Sequence, residues 1–379
     1  MPHAQIVGWG MYVPSRVVAN DSFVKMGLDT SNEWIASRTG IEERRLVGKN
    51  EATSDLAVKA SLQALHTAGA HAGDIDLIIV ATCTPDHVMP STASLVQTRL
   101  GATRAGAMDL NAACSGFVYA LATGAGQIES GRAKQVLVVG ADELSIHLDW
   151  KDRNTCVLFG DGAGAVLLRA SQEAGVLSST MGSDGSGADL LIIPAGGSRI
   201  RANHNGKSNR NANGDQYLKM NGPQIFRWAT QMMAKASEDV MAASGLKPEQ
   251  VDLFIPHQAN LRIIEATARR VGIPSQKVFS NVGHYGNTSA ASIPIALCEA
   301  IAAGRVKRGD NILLSSFGAG LSWAALAVRW GVSVQARPTP WSPLRLQIET
   351  RMAAVRSALR KQNRRVRTSI DSTLHRDQD

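Results

Sequence analysis

The strongest constraint on what this chain can fold into is a set of segments that repeat in one order at nearly one spacing. Asp76-Leu77-Ile78-Ile79 is matched by Asp252-Leu253-Phe254-Ile255, the turn at Ser115 by the turn at Ser289, and Val136-Leu137-Val138-Val139 by Ile312-Leu313-Leu314-Ser315, at offsets of 176, 174 and 176. One such match carries little weight, but three in sequence order imply a duplicated unit whose halves meet near residues 170–180. Apolar runs of strand length alternate with helical patterns at 55–68, 95–100, 223–243 and 261–271. Such alternation predicts an α/β protein with buried strands between helices.

Within the first half, Asn111-Ala112-Ala113-Cys114-Ser115-Gly116-Phe117 joins a short strand at 107–110 to a helix opening at Gly116. That places the Cys114 sulfur at a helix N-terminus, where unpaired N–H groups and the macrodipole favour the thiolate and lower a free-thiol pKa of about 8.5 towards neutrality. Cys83, Cys156 and Cys298 lie in apolar runs and read as small buried hydrophobes.

Composition narrows the class. The chain has 379 residues, 44% of them hydrophobic, which is ample for a large core. Four unpaired cysteines, no charged-then-apolar leader and no apolar run near 18 residues point to a reducing, cytoplasmic setting, with no disulfide framework and no metal-binding cysteine pair. The net charge of +8 is concentrated at the end: residues 337–379 hold ten Arg/Lys against four Asp/Glu, leaving +2 for the rest. A nucleic-acid-binding surface is therefore not expected. Gly160-Asp161-Gly162-Ala163-Gly164 lacks the dinucleotide-binding spacing and reads as a tight turn, and 196–215 reads as a mobile polar surface loop.

Two later segments are polar at element ends: Ile255-Pro256-His257-Gln258-Ala259-Asn260 after a strand, and Tyr285-Gly286-Asn287-Thr288-Ser289-Ala290-Ala291-Ser292 before a helix. If the halves pack about a pseudo-twofold axis, the turns at Cys114 and Asn287 face one cleft, with His257 at the end of a neighbouring strand. Taken singly, His257 reads as a hydrogen-bonded structural residue and Asn287 as an N-cap. Together with Cys114 they form a nucleophile with two neutral hydrogen-bond donors. A papain-like protease uses the same residue types, but the expected Cys-Gly-Ser-Cys-Trp context is missing.

These segments resemble the 3-oxoacyl-[acyl-carrier-protein] synthase III family of thiolase-like condensing enzymes. The resemblance extends over roughly residues 6–330 and includes Thr30-Ser31-Asn32-Glu33-Trp34-Ile35, Arg38-Thr39-Gly40-Ile41 and Phe317-Gly318-Ala319-Gly320. It implies a layered α-β-α-β-α sandwich, with a Cys-bearing half at 1–172, a His- and Asn-bearing half at 173–332, and a basic extension at 333–379. It implies a Cys114, His257 and Asn287 triad, with an oxyanion held by the backbone N–H groups of Cys114 and Ala319. The implied reaction joins an acyl-CoA primer to malonyl-acyl carrier protein, with CoA as substrate and no cofactor. A related enzyme priming a secondary-metabolite pathway, an acyltransferase that does not condense, and an idle scaffold are the competing readings.

The resemblance further implies Trp34 and Arg153 sandwiching the CoA adenine, Thr30 and Arg38 near base and phosphates, and Asn260 in the pantetheine tunnel. Met89 falls where the family presents a residue across a homodimer interface into the partner's acyl pocket, and Phe317 belongs to the same pocket; an ordinary core methionine is the alternative for Met89. Arg227, Arg262, Arg269 and Arg270 form either a docking face for the acidic carrier protein or a solvated face. Two positions depart from the pattern: Gly283-His284 precede the Tyr-Gly-Asn motif where an acidic and a basic residue are usual, and Ala319 replaces a glycine. The extension departs most. After Pro338, Pro340 and Pro343, residues Leu344, Ile348, Met352, Val355 and Leu359 share one helical face, with Arg345, Arg351, Arg356, Arg360 and Lys361 over much of the remainder. The expectation is a helix packing that face on its own core, or a disordered basic tail, in preference to a membrane-surface contact.

Overall fold

A computed structural model of the chain describes residues 1–199 and 215–333, and from the extension residues 348, 349, 351–353, 355, 357–360 and 362. In chain order the elements are β1 (His3–Tyr12), β2 (Arg16–Ala19), α1 (Asn20–Lys25), α2 (Asn32–Thr39), β3 (Glu43–Leu46), α3 (Thr53–Thr67), β4 (Leu77–Ala81), α4 (Thr92–Leu100), β5 (Gly106–Leu110), α5 (Gly116–Glu129), β6 (Gln135–Glu143) and β7 (Asp161–Ser171). There follow β8 (Val176–Ser183), β9 (Leu191–Ile192), β10 (Lys219–Met220), α6 (Gly222–Ser244), β11 (Leu253–Pro256), α7 (Leu261–Val271), α8 (Val282–Tyr285), α9 (Ser292–Ala302), β12 (Asn311–Gly318) and β13 (Ser322–Arg329).

Two mixed sheets form the frame, in the orders β1-β7-β6-β4-β5 and β11-β12-β13-β8. Read from opposite ends, these are the same arrangement: β8, β13, β12 and β11 repeat β1, β7, β6 and β4. The counterpart of β5 is reduced to a single parallel bridge between Phe254 and Val278. The duplication also sets the turns. Ala113–Ser115 and Ser289–Ala291 are both single 3-10 turns, and their first residues share left-handed backbones, φ 47° and φ 51°. Ala113 thus pairs with Ser289 at an offset of 176, which corrects the offset of 174 inferred from Ser115.

Helices α5 and α9 lie between the sheets, where Phe117, Leu121 and Ile128 meet Ile293, Leu297 and Ile301 in one buried cluster with strands of both halves. Outside, α3 and α4 cover the first sheet, and α6 and α7 pack over the second. The result is the α-β-α-β-α layering. The glycines at 160–164 do not form the expected turn; β7 begins at Asp161. They let α9 approach: a Cβ on Gly164 would lie 2.6 Å from Pro294 Cβ, and one on Gly162 would lie 2.9 Å from Ile295 Cδ1.

The extension also corrects an expectation. Ile348, Met352, Val355 and Leu359 are 49%, 44%, 58% and 55% exposed, whereas Ala353 is fully buried. Contact with the body is made by another side of the helix, where Arg360 Nη1 donates to the Thr98 carbonyl at 3.2 Å. Leu344 and residues 200–214 of the polar loop lie outside the described residues. Among those described, no helix is long and apolar enough to cross a membrane.

Candidate active site

Cys114 occupies the 3-10 turn that leads into α5, and only 7% of it is exposed. Asn111 Oδ1 accepts the Ala113 N–H at 3.1 Å, which holds the left-handed residue in place. The β12–β13 hairpin closes over this turn. Ser115 Oγ donates to the Ser322 carbonyl at 3.2 Å, Ser322 Oγ donates to the Ala112 carbonyl at 3.0 Å, and a Cβ on Gly318 would lie 2.8 Å from the Cys114 nitrogen. Ala319 is the next residue, so the sequence-predicted pair of oxyanion donors belongs to two segments in direct contact.

Burial pushes the Cys114 thiol up to about 11, with hydrogen bonds from Ser289, Asn287 and its own backbone opposing and the Asp142 charge reinforcing the rise. The helix start alone predicts the opposite direction; removal of water from a sulfur in a closed turn outweighs it. At neutral pH the group is a thiol.

His257 follows β11 and is 3% exposed, its backbone N–H bound to the Ser315 carbonyl at 2.8 Å. Its Nδ1 lies 2.6 Å from Ser292 Oγ, which also receives the Gln258 N–H at 3.5 Å. We assign the serine proton to this bond, which puts the ring proton on Nε2. Burial lowers the imidazole to about 3, so it is a neutral donor. Asn287 is 7% exposed. Its backbone is clamped between Leu158 and Gly160, donating to the former's carbonyl at 2.8 Å and accepting from the latter's N–H at 3.0 Å. Its Oδ1 accepts the Ser289 N–H at 2.8 Å, leaving the amide N–H groups for the Cys114 side. The N-cap role expected of an isolated asparagine is not seen: Thr288 and Ala291 stand at the caps of the following turn and helix, and the Asn287 oxygen closes a local turn two residues on.

Residues that sequence reasoning passed over complete the site. Asp142, fully buried at the end of β6, accepts from Cys83 N at 2.8 Å, Thr82 Oγ1 at 3.0 Å, Thr84 Oγ1 at 3.1 Å and Ala290 N at 3.0 Å. It also meets the Ser289 hydroxyl, which in turn contacts Cys114. Cys83, read as a small buried hydrophobe, is also hydrogen-bonded: its sulfur lies 3.3 Å from Asp142 Oδ1 and 3.9 Å from Ser289 Oγ. Burial and the Asp142 charge hold that thiol far above its usual range. Ser289 and Ser292 stand in the motif that carries Asn287, but nothing local distinguishes their partners.

A cavity of about 530 Å³ opens beside this centre, lined by Trp34, Arg38 and Arg153, by Leu158, and by Asn221 and Pro223 at the start of α6 among others. Ser31 caps α2 by accepting the Trp34 N–H at 3.1 Å, and left-handed Gly40 ends the helix, so the indole projects where Arg38 and Arg153 lie over it at 4.6 and 5.0 Å from its centroid. Leu158 links cavity to centre, since its carbonyl holds Asn287. Thr30 and Asn260 do not line the cavity. Asn260 instead caps α7 and donates to the Arg38 carbonyl at 3.1 Å, anchoring the end of α2. Arg44, fully buried, donates to the Val18 and Val157 carbonyls and to Asn20, stiffening the same wall.

Among the remaining predicted residues, Phe317 is buried at the end of β12 with Ile225 and Met233. Met89 is 86% exposed, so it is not a core methionine of this chain. Arg262 stacks 5.6 Å over Phe226, next to Arg227, near the cavity-lining start of α6. Arg269 and Arg270 lie two turns further along α7, Arg269 facing Glu265 at 3.9 Å. Described residues include no group of three His, Cys, Asp or Glu side chains placed to hold a metal ion.

Comparison with known proteins agrees with this geometry. Residues 108–185 match the family model 3-oxoacyl-[acyl-carrier-protein] synthase III, and residues 241–330 match the model of its C-terminal region. The chain is 52% identical over 328 residues to beta-ketoacyl-[acyl-carrier-protein] synthase III of Roseiflexus castenholzii, covering 86% of this chain and 98% of that protein. It is 48% identical over 330 residues to the protein of the same name from Clostridium perfringens, covering 87% and 100%. The crystal structure of the Aquifex aeolicus 3-oxoacyl-[acyl-carrier-protein] synthase III superposes with a TM-score of 0.79 at 46% identity, over 86% of this chain and 99% of that one. With the centre on two duplicated halves and relatives matched over nearly their whole length, the chain belongs to the 3-oxoacyl-[acyl-carrier-protein] synthase III family.

Proposed function

We propose that the chain catalyses the decarboxylating condensation of an acyl-CoA primer with malonyl-acyl carrier protein, giving 3-oxoacyl-acyl carrier protein, CoA and CO₂, and so starts type II fatty-acid synthesis. This reading is carried by the Asn287 amide against the Cys114 thiol and a neutral His257 imidazole held by Ser292 in the segment after Asn287, with the Trp34 cavity reaching Leu158, whose carbonyl holds Asn287. Trp34 with Arg38 and Arg153 suits an adenine and its phosphates. The Cys114 sulfur attacks the primer thioester, the C–S bond to CoA breaks, and the thiol proton leaves with the CoA sulfur. Backbone N–H groups of Cys114 and Ala319 are the oxyanion donors.

Malonyl thioester then loses CO₂, and the electron pair becomes an enolate whose oxygen accepts from His257 and Asn287. Neither donor changes charge, which suits an enolate formed by loss of CO₂ rather than of a proton. The enolate carbon attacks the acyl group, the bond to Cys114 breaks, and the released thiolate takes a proton from water because burial favours the thiol. No step uses a metal or redox cofactor.

The same reading includes a homodimer. β5 pairs on one side only, and exposed Val88 and Met89 precede α4, whose Thr92 and Ala93 N–H groups bond the Asp109 carboxylate of that strand, which supports donation of Met89 to a partner's acyl pocket. Arg227 and Arg262 are assigned to carrier-protein docking, with Arg269 and Arg270 peripheral, and the setting is cytoplasmic. Priming of a polyketide pathway is the second reading; it draws on the priming beta-ketosynthase of the R1128 polyketide pathway, 34% identical with a TM-score of 0.80.

Intact-mass analysis with a panel of acyl-CoAs, then malonyl-carrier protein, tests the proposal. A thioester adduct on Cys114, absent in Cys114→Ala and discharged as a 3-oxoacyl product, is expected. His257→Ala should retain the adduct without releasing CO₂. No adduct with any acyl-CoA, or condensation retained in His257→Ala, overturns the assignment.

A further inference from the structure

The extension beyond residue 333 lies outside the matched family regions, and its described part carries a surface that the condensing chemistry does not use. Ile348, Met352, Val355 and Leu359 follow one another at steps of four, three and four residues, so they form a single line along a helix. Each is between 44% and 58% exposed. Ala353 and Arg360, seven residues apart, form a second line roughly 120° away. Arg360 holds the body: it donates to the Thr98 carbonyl at 3.2 Å and its guanidinium lies over Gly101, the C-cap of α4, while Ala353 is fully buried. A cation at the negative end of α4 is a favourable anchor. The helix thus docks through an arginine and presents its aliphatic line outward, the reverse of what burial of apolar surface alone dictates.

What covers such a line is decided by charge. Arg351 is exposed within the same stretch, and residues 337–379 carry ten Arg/Lys against four Asp/Glu. A second copy of the chain meeting this surface symmetrically would bring two cationic extensions together. An anionic bilayer instead takes the aliphatic side chains below the headgroups and is attracted by the net positive charge of the extension. We propose that the extension is an interfacial helix that seats the enzyme on an anionic lipid surface, with α4 as its mount. Such seating does not depend on the reaction assigned above.

The test is co-sedimentation of the full-length protein with vesicles of mixed phosphatidylglycerol and phosphatidylcholine, and with phosphatidylcholine alone, at low and high salt. Sedimentation with the anionic vesicles, weakened by salt and reduced about tenfold in Val355→Asp/Leu359→Asp, is expected. Condensation in solution stays unchanged in that variant. Ile348→Ser, a milder change on the same line, should give an intermediate loss. Protein remaining in the supernatant with anionic vesicles, or equal sedimentation of wild type and double variant, overturns the proposal. So does a double variant that binds vesicles normally but loses oligomeric mass or affinity for the carrier protein, which would assign the line to a protein partner.

Discussion

Replacing Ser292 with alanine isolates the part of the site that selects the histidine tautomer. Ser292 is 2% exposed and its hydroxyl is 2.6 Å from His257 Nδ1, in a pocket where the ring is 3% exposed. Without the hydroxyl, Nδ1 is a buried acceptor with no donor, and the tautomer carrying its proton on Nε2 loses the bond that favours it. A lost buried hydrogen bond of this kind is worth about 1–3 kcal/mol. At about 1.4 kcal/mol per decade, this slows any step that needs Nε2–H by about fivefold to about 150-fold. The enolate-forming step needs it, whereas acylation of Cys114 relies on backbone donors. The assay is therefore two-sided: CO₂ release from malonyl-carrier protein by pre-acylated enzyme, and the single-turnover rate of adduct formation from acyl-CoA. A large fall in the first with less than a twofold change in the second is expected, with a melting temperature lowered by a few degrees. An equal fall in both rates, or no fall in CO₂ release, would refute the role given to the Ser292–His257 bond.

Other outcomes follow from the same geometry. Trp34→Ala removes the ring beneath Arg38 and Arg153 and should raise KM for acyl-CoA about fivefold to 150-fold at little cost in kcat, since base–aromatic stacking contributes about 1–3 kcal/mol; initial-rate kinetics with saturating malonyl-carrier protein check it. Asp142→Asn withdraws a negative charge that holds the Cys114 thiol up, so iodoacetamide should alkylate Cys114 up to about tenfold faster at a fixed pH below 11; an unchanged rate in a variant of normal stability would remove the electrostatic argument. His257 stays neutral when folded down to about pH 3, while an unfolded histidine takes up a proton below about 6.5. Stability from this group is thus lost as pH falls below 6.5, by about 1.4 kcal/mol per unit. Urea unfolding at pH 7 and pH 5.5 should show a correspondingly smaller drop for His257→Gln.

The duplication was legible because it is local: runs such as Val136-Leu137-Val138-Val139 and Ile312-Leu313-Leu314-Ser315 carry the strand signal within themselves. Helix α7 was likewise readable, from its period and from Asn260 and Gly272 at its ends. Cys114, His257 and Asn287 stood out because polar residues at element ends inside repeated halves have few structural reasons to be there. Gly160–Gly164 misled as a turn because the reason for those glycines, the close approach of α9, lies more than 120 residues away.

By itself, then, the sequence determined the α/β alternation and the repeat, and it is the source of the proposed triad; all three are written in short-range patterns of polarity and period. Only the tertiary structure decided their chemistry. The thiol is raised because the hairpin at Gly318 excludes water from the turn at Cys114, and the imidazole tautomer is set by Ser292, 35 positions along the chain. Asp142 and Cys83 join the site because β4 and β6 are neighbours in one sheet. The extension turns its aliphatic line outward because its contact with α4 is made by Arg360 instead. Each of these depends on desolvation or on a partner distant in sequence, and neither quantity exists until the chain has folded.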